Sequence, residues 1–184
     1  MNKYRQPKVW GVFVGERGSQ LAAFNTEYGP FPPKPNTDGY VAIGWAGIGD
    51  MLTYKNRYNA FRENFSIAYP DDNERVLSTQ ANMVWNFSYE ILDGDYVVSP
   101  SSESGVLLVG QFTGEYLPDF NNHSTVAPSK TRKDLLHLRK VRWLAAIQDD
   151  DNRYGELNRI GQLTVSSLNI TPERLVEIIT NGEQ

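Results

Sequence analysis

Three apolar, β-branched runs follow one another in the second half of the chain, at residues 96–100 (YVVSP), 106–114 (VLLVGQFTG) and 136–147 (LHLRKVRWLAAI). Two more precede them, at 8–15 (KVWGVFVG) and 39–45 (GYVAIGW). Runs of this composition bounded by Gly and Pro read as strands, and 96–114 as a strand, turn, strand hairpin. Two helical patterns separate the early runs from the later ones. The first spans 54–69 and is stopped by Pro70. The second follows the cap candidates Asp71, Asp72 and Asn73 and sets Val76, Leu77, Ala81, Val84, Trp85, Ser88, Ile91 and Leu92 at three- and four-residue spacings. After Asn152 the chain turns weakly helical, and Thr171 before Pro172 marks the start of a last helix over 172–180. Strands, helices, then a run of strands predict an α+β domain: a small mixed or partly closed sheet flanked by helices. With 184 residues the chain is one domain, 1–184. Two excursions interrupt it, a proline-rich loop near 28–37 and a surface segment near 117–135.

Several chemistries are excluded. Without a single Cys there are no disulfides, thiolate metal sites or cysteine nucleophiles, and His123 and His137 alone do not build a metal centre. No Gly-x-Ser-x-Gly elbow is present. Pro70-Asp71 and Pro118-Asp119 begin a metal-nuclease pattern, but no acid stands two residues before Lys130, Lys133 or Lys140. The glycines at 44, 47 and 49 follow a strand without the Lys-Ser/Thr of a phosphate loop, and Asp149 to Asp151 read as a solvated acidic turn. The first residues are polar and no apolar run approaches 18 residues. The expectation is a cytoplasmic protein away from membranes, not an enzyme, with no metal and no cofactor.

Charge is unevenly spread. Residues 130–142 hold six cations against Asp134, net +5, which leaves the remainder of a −4 chain at −9. A basic strand on an acidic protein fits a phosphate-tracking groove, or a solvated edge strand guarded by charge. Aromatic residues reach 12%. Trp10, Trp45, Trp85 and Trp143 all fall in or beside predicted elements, and two of them are expected to be core. Bases held out of a stack are commonly sandwiched by such rings and read by amides. The outer face of the second helix carries Thr79, Asn82, Asn86 and Tyr89 in place of the usual Lys and Glu, although a plain amphipathic helix also accommodates them.

Several segments together carry a family resemblance: DGYVAIGW at 38–45 continuing to Ile48-Gly49-Asp50-Met51, Gln80-Ala81-Asn82 with Trp85-Asn86-Phe87 and Ile91, DGDYVVSP at 93–100, LVGQFTGEY at 108–116 and HLRKVRWL at 137–144. In order and spacing, from Trp10 to Leu168, the chain resembles the N-terminal domain of Mrr-like, modification-dependent restriction endonucleases. Such domains are similar to PUA, EVE and YTH modules. The resemblance implies a small mixed PUA/EVE-like β-barrel flanked by helices, and recognition of a modified or flipped base in an aromatic pocket, linked to restriction or defence. It implies nucleic acid as partner, DNA ahead of RNA, with a separate nuclease or NTPase subunit. The chain departs from that arrangement in having no nuclease region and in its insertions at 30–36 and 120–133. Carried over residue by residue, Trp45, Trp10 and Trp85 are the ring candidates and Asp50 an acceptor for a base amino group. Asn82 and Asn86 are the edge readers, Ser99 lines a pocket at a strand end, and Arg139, Lys140 and Arg142 meet phosphates. The alternatives are that Trp45 fills the barrel, that Asn82 caps local backbone, and that the fold is a protein-interaction or regulatory module whose aromatics hold a partner chain.

Overall fold

The apolar runs become strands of one sheet in the computed structural model, which describes residues 5–13, 23–25, 35–71, 73–100, 105–118, 137–148, 155–158 and 164–182. In chain order the strands are β1 (Val9–Val12), β2 (Ala23–Asn25), β3 (Thr37–Ile43), β4 (Tyr96–Pro100), β5 (Val106–Pro118), β6 (His137–Gln148) and β7 (Val165–Ser167). They lie in the order β2-β3-β6-β5-β4-β1-β7. The β1–β4 pairing is parallel and every other pairing is antiparallel, including the expected β4–β5 hairpin. The sheet is mixed and the domain α+β. Among the described residues the row is open, with β2 and β7 each paired on one side, and not closed into the expected barrel.

Helices cover both faces. On the first, α1 (Tyr58–Ala68) and α2 (Glu74–Trp85) bring Phe61, Phe65, Leu77, Ala81 and Val84 onto Val41, Ile43, Leu108, Phe112, Val141 and Trp143. On the second, α3 (Gly155–Asn158) and α4 (Pro172–Gly182) bring Leu157, Leu175 and Ile178 onto Val9, Val98, Val109 and Ile147. Alternation along β1, β4 and β5 supplies both cores: on β1, Val9 faces the second and Trp10 and Val12 the first.

Local chemistry sets the boundaries. Asn73 caps α2 by accepting from the Arg75 and Val76 amides, and the Thr171 hydroxyl accepts from Arg174 N–H ahead of Pro172. The pattern read as helix from 54 starts only at Tyr58. Asp50 caps a 3-10 turn, Met51–Tyr54, and Asn56 then takes a left-handed φ of 61° before α1 can begin. The second helix also differs from its predicted course: α2 passes at Trp85 into a π turn, Asn86–Glu90. The wider turn rotates Phe87 into the core, while Val76 and Leu92, expected on the core face, are exposed. Strands β2 and β7 were not foreseen. Most of both predicted excursions, with Lys130, Arg132 and Lys133, lies outside the described residues.

The β5–β6 ladder is bulged. Val109 pairs with Ala145 but Gly110 with Trp143, so Leu144 is passed over and the inward set on β6 changes face, Trp143 entering the first core and Ile147 the second. Gly110 permits this contact, because a Cβ there would lie 2.4 Å from Val141 Cγ1 and 3.0 Å from both the Arg142 carbonyl and the Trp143 ring. Gly110→Ala is expected to destabilise the fold by about 1–3 kcal/mol, read as a lowered urea midpoint at unchanged slope.

Candidate functional site

The segment 45–51 (WAGIGDM) leaves β3 and turns back toward the helices. Trp45, the first residue of the turn, has φ 67° and ψ 38°, a left-handed conformation unusual for a bulky side chain. Such a backbone persists only where its surroundings hold it. The Trp45 carbonyl accepts from Ile48 N–H at 3.2 Å and from His137 Nε2–H at 3.1 Å. A carbonyl only accepts, so the imidazole proton sits on Nε2, and Nδ1 accepts from the Tyr116 hydroxyl at 2.7 Å. The Tyr116 oxygen in turn takes the Met51 N–H at 3.5 Å. One chain of donors thus ties both ends of the turn to β5 and β6. Gly47 N–H donates to Tyr69 Oη at 2.6 Å and the Tyr89 hydroxyl to the Met51 carbonyl, which anchors the turn to α1 and the π turn.

Around the turn the helix layer presents an aromatic surface. Trp85 meets Tyr89 at 4.4 Å, Tyr58 edge-on at 4.8 Å and Phe61 at 5.4 Å between ring centroids. Asn82 accepts from the Tyr58 hydroxyl at 2.5 Å, and the Asn86 amide, half-buried, makes no side-chain hydrogen bond among the described residues. Trp45 and Trp85 are half-buried, and Asp50 spends one carboxylate oxygen on Leu52 N–H. Five of the ten residues singled out from sequence, Trp45, Asp50, Asn82, Trp85 and Asn86, therefore occupy one layer of the fold, on the turn and on α2 with its continuation.

The other five do not join them. Trp10 is a core residue whose indole N–H donates to Asp95 at 2.8 Å, not a ring open to a ligand. Ser99 is fully buried and donates to the Val12 carbonyl, so it lines no pocket. Arg139 is 3% exposed and donates to the carbonyls of Phe87, Ser88, Ile91 and Gly114 at 2.8–3.4 Å, with Phe112 beneath its guanidinium. It is a clamp on the end of the π turn and not a phosphate contact. Burial lowers its pKa to about 10, and it stays a cation at neutral pH. Lys140 and Arg142 are exposed, but they alternate with the inward Arg139, Val141 and Trp143 and so leave the sheet on the face away from α2. Arg142 reaches Asp38 at 3.3 Å.

Sequence reasoning gave no site role to Tyr116, Tyr69 or Asp95, weighed His137 only as a metal ligand and placed Tyr89 only on the outer face of the second helix. Asp95 is 1% exposed and accepts from Arg5, the Lys8 and Leu92 amides and Trp10. Among the described residues no cluster of His, Asp and Glu suits a metal ion, and no helix is long and apolar enough to cross a membrane.

The family model described as a Domain of unknown function (DUF8426) matches residues 31–169, most of the chain. The chain belongs to this family. No curated protein and no solved structure matches it. The DUF8426 segment runs from β3 through β7 and contains the whole turn with its supports, whereas β1 and α4 lie outside it.

Two outcomes are expected. Arg139→Met leaves buried carbonyls without donors and is expected to lower stability by about 3 kcal/mol or more in chemical denaturation. Burial holds His137 at about 4, below its unfolded value near 6.5. The unfolded chain thus takes up this proton first as the pH falls. The stabilisation tied to neutral His137 is complete above about pH 6.5 and is lost on descending toward pH 4, by roughly 3 kcal/mol. Denaturation of wild type and His137→Asn across that range is expected to show their stability difference narrowing by this amount.

Proposed function

We propose that the chain is a noncatalytic nucleic-acid reader, taking a modified or flipped base against Trp45 and Trp85 with Asn82, Asn86 and Asp50 at its edge. The observation that carries the proposal is Trp45 itself, a half-buried indole on a left-handed backbone held by a dedicated set of hydrogen bonds. Proteins retain such conformations mainly where a side chain must be presented in one orientation. The resemblance to domains of modification-dependent restriction enzymes supports base recognition, DNA ahead of RNA, in a defence setting with a separate nuclease or NTPase subunit. A PUA-like barrel is part of the same proposal, with the open row of strands as its described portion. A cytoplasmic location belongs to it as well.

Phosphates beside a base seated at Trp45 fall to Lys55 and Arg57, exposed in the segment between the turn and α1, where the Arg57 charge reaches Tyr89. Lys140 and Arg142, on the far face, serve a more distant stretch of backbone. A second reading has its own observation: Leu52 is 51% exposed and Tyr58 38%. Apolar groups so close to the turn suit a protein segment lying across the same rings.

Binding of short modified and unmodified oligonucleotides, measured by fluorescence anisotropy over a salt series, separates the two. A reader binds with steep salt dependence. Trp45→Ala is then expected to remove about 1–3 kcal/mol and the discrimination with it. Lys55→Ala and Arg57→Ala are expected to weaken all oligonucleotides alike, each reducing the salt slope by about 1. Binding that is undetectable or indifferent to salt removes the reader in favour of a protein partner.

A further inference from the structure

We propose that His137 is the positioning residue of Trp45: its Nε2–H holds the carbonyl of the left-handed tryptophan, and the His137–Tyr116 pair thereby sets the indole orientation that a ligand meets. The inference rests on the reading of Trp45 as a ligand-facing ring, and it adds a control over that ring. Of the two donors to the Trp45 carbonyl, Ile48 N–H belongs to the turn and moves with it. His137 does not move with it, because it stands on β6 in register with Ile43, the last residue of β3. It is fully buried and so has one local geometry to offer. The Tyr116 hydroxyl completes the device by donating to Nδ1, which fixes the tautomer and leaves Nε2–H directed at Trp45.

Protonation of His137 is the event to which this arrangement responds. An imidazolium has no acceptor at Nδ1, so its new N–H confronts the Tyr116 hydroxyl. Tyr116 must then reverse, and its other neighbour in the chain, Met51 N–H, is a donor that cannot take its proton. The titratable groups facing the imidazole are Tyr116 from β5 and Asp50 from the turn, with Tyr89 of the π turn beyond Tyr116. On its own strand Arg139 is engaged with the carbonyls of the π turn. The turn that carries Trp45 is thus joined to one protonation site through two hydrogen bonds.

The test uses the free protein, isotopically labelled, with the Trp45 indole N–H and the His137 imidazole followed by NMR. At pH 7 the Trp45 resonance is expected to be displaced in both His137→Asn and Tyr116→Phe, while the Trp143 resonance keeps its place. On lowering the pH, the wild-type Trp45 and His137 signals are expected to share one midpoint, and in Tyr116→Phe to move to a new midpoint together. A Trp45 signal unmoved at pH 7 in either folded variant, or one that titrates apart from His137, overturns the proposal. These readouts need no ligand. Failure of oligonucleotides to bind wild type therefore tells against the reader, whereas an indole indifferent to His137 tells against the positioning role.

Discussion

A single buried cation holds the helix layer to the sheet. The last carbonyls of a helix have no partners within it, and where a helix ends inside a protein something must supply donors. Here the end is a π turn pressed against β5 and β6, and Arg139 supplies the donors from near the start of β6. A guanidinium suits this place better than an ammonium, because its planar fork addresses several carbonyls at once while the positive charge meets the negative end of the helix. By fixing residues 87–91 it also fixes what precedes them, the stripe of Asn82, Trp85, Asn86 and Tyr89 beside the turn. Core packing and candidate site therefore depend on the same group.

Much of the fold was legible because strands and helices announce themselves by period. The β4–β5 hairpin, the start of α2 and the Thr171-Pro172 entrance to α4 follow from local residues alone. What escaped depended on partners far along the chain. Tyr116 and His137 meet only because β5 and β6 pair with a bulge, and neither residue carries a mark of that meeting. Nothing near Asp95 in the sequence marks the donors that reach it from Arg5, Lys8 and Trp10. The basic run was a different failure. Residues 139, 140 and 142 counted as one positive stripe, yet the two-residue period of a strand already separates Arg139 from Lys140 and Arg142. The interruption of the second helix at Trp85 had no such signal, since a π turn needs only one extra residue and is stabilised from outside.

The layout of charge follows from this. The aromatic surface and the exposed cations of β6 lie on opposite faces of a sheet, and nothing in the described residues joins them. Around Trp45 the fixed charges are mixed: Asp50 within the turn, Lys55 and Arg57 shortly after it in sequence. A site of this kind distinguishes ligands by ring faces and hydrogen-bonding edges more than by attraction at a distance, because mixed exposed charges are screened within about a Debye length.

The place of β1 in the sheet has a consequence for the order of assembly. It is first in the chain but lies between β4 and β7, parallel to one and antiparallel to the other. Its ladder partners are Tyr96 to Val98 on one side and Val165 to Ser167 on the other. During synthesis this apolar strand must remain unpaired until β4 has been made, and half-paired until β7 follows. Contacts of such sequence separation form late and slowly. The gathering of Arg5, Lys8 and Trp10 on Asp95 holds β1 beside β4 once the two have met.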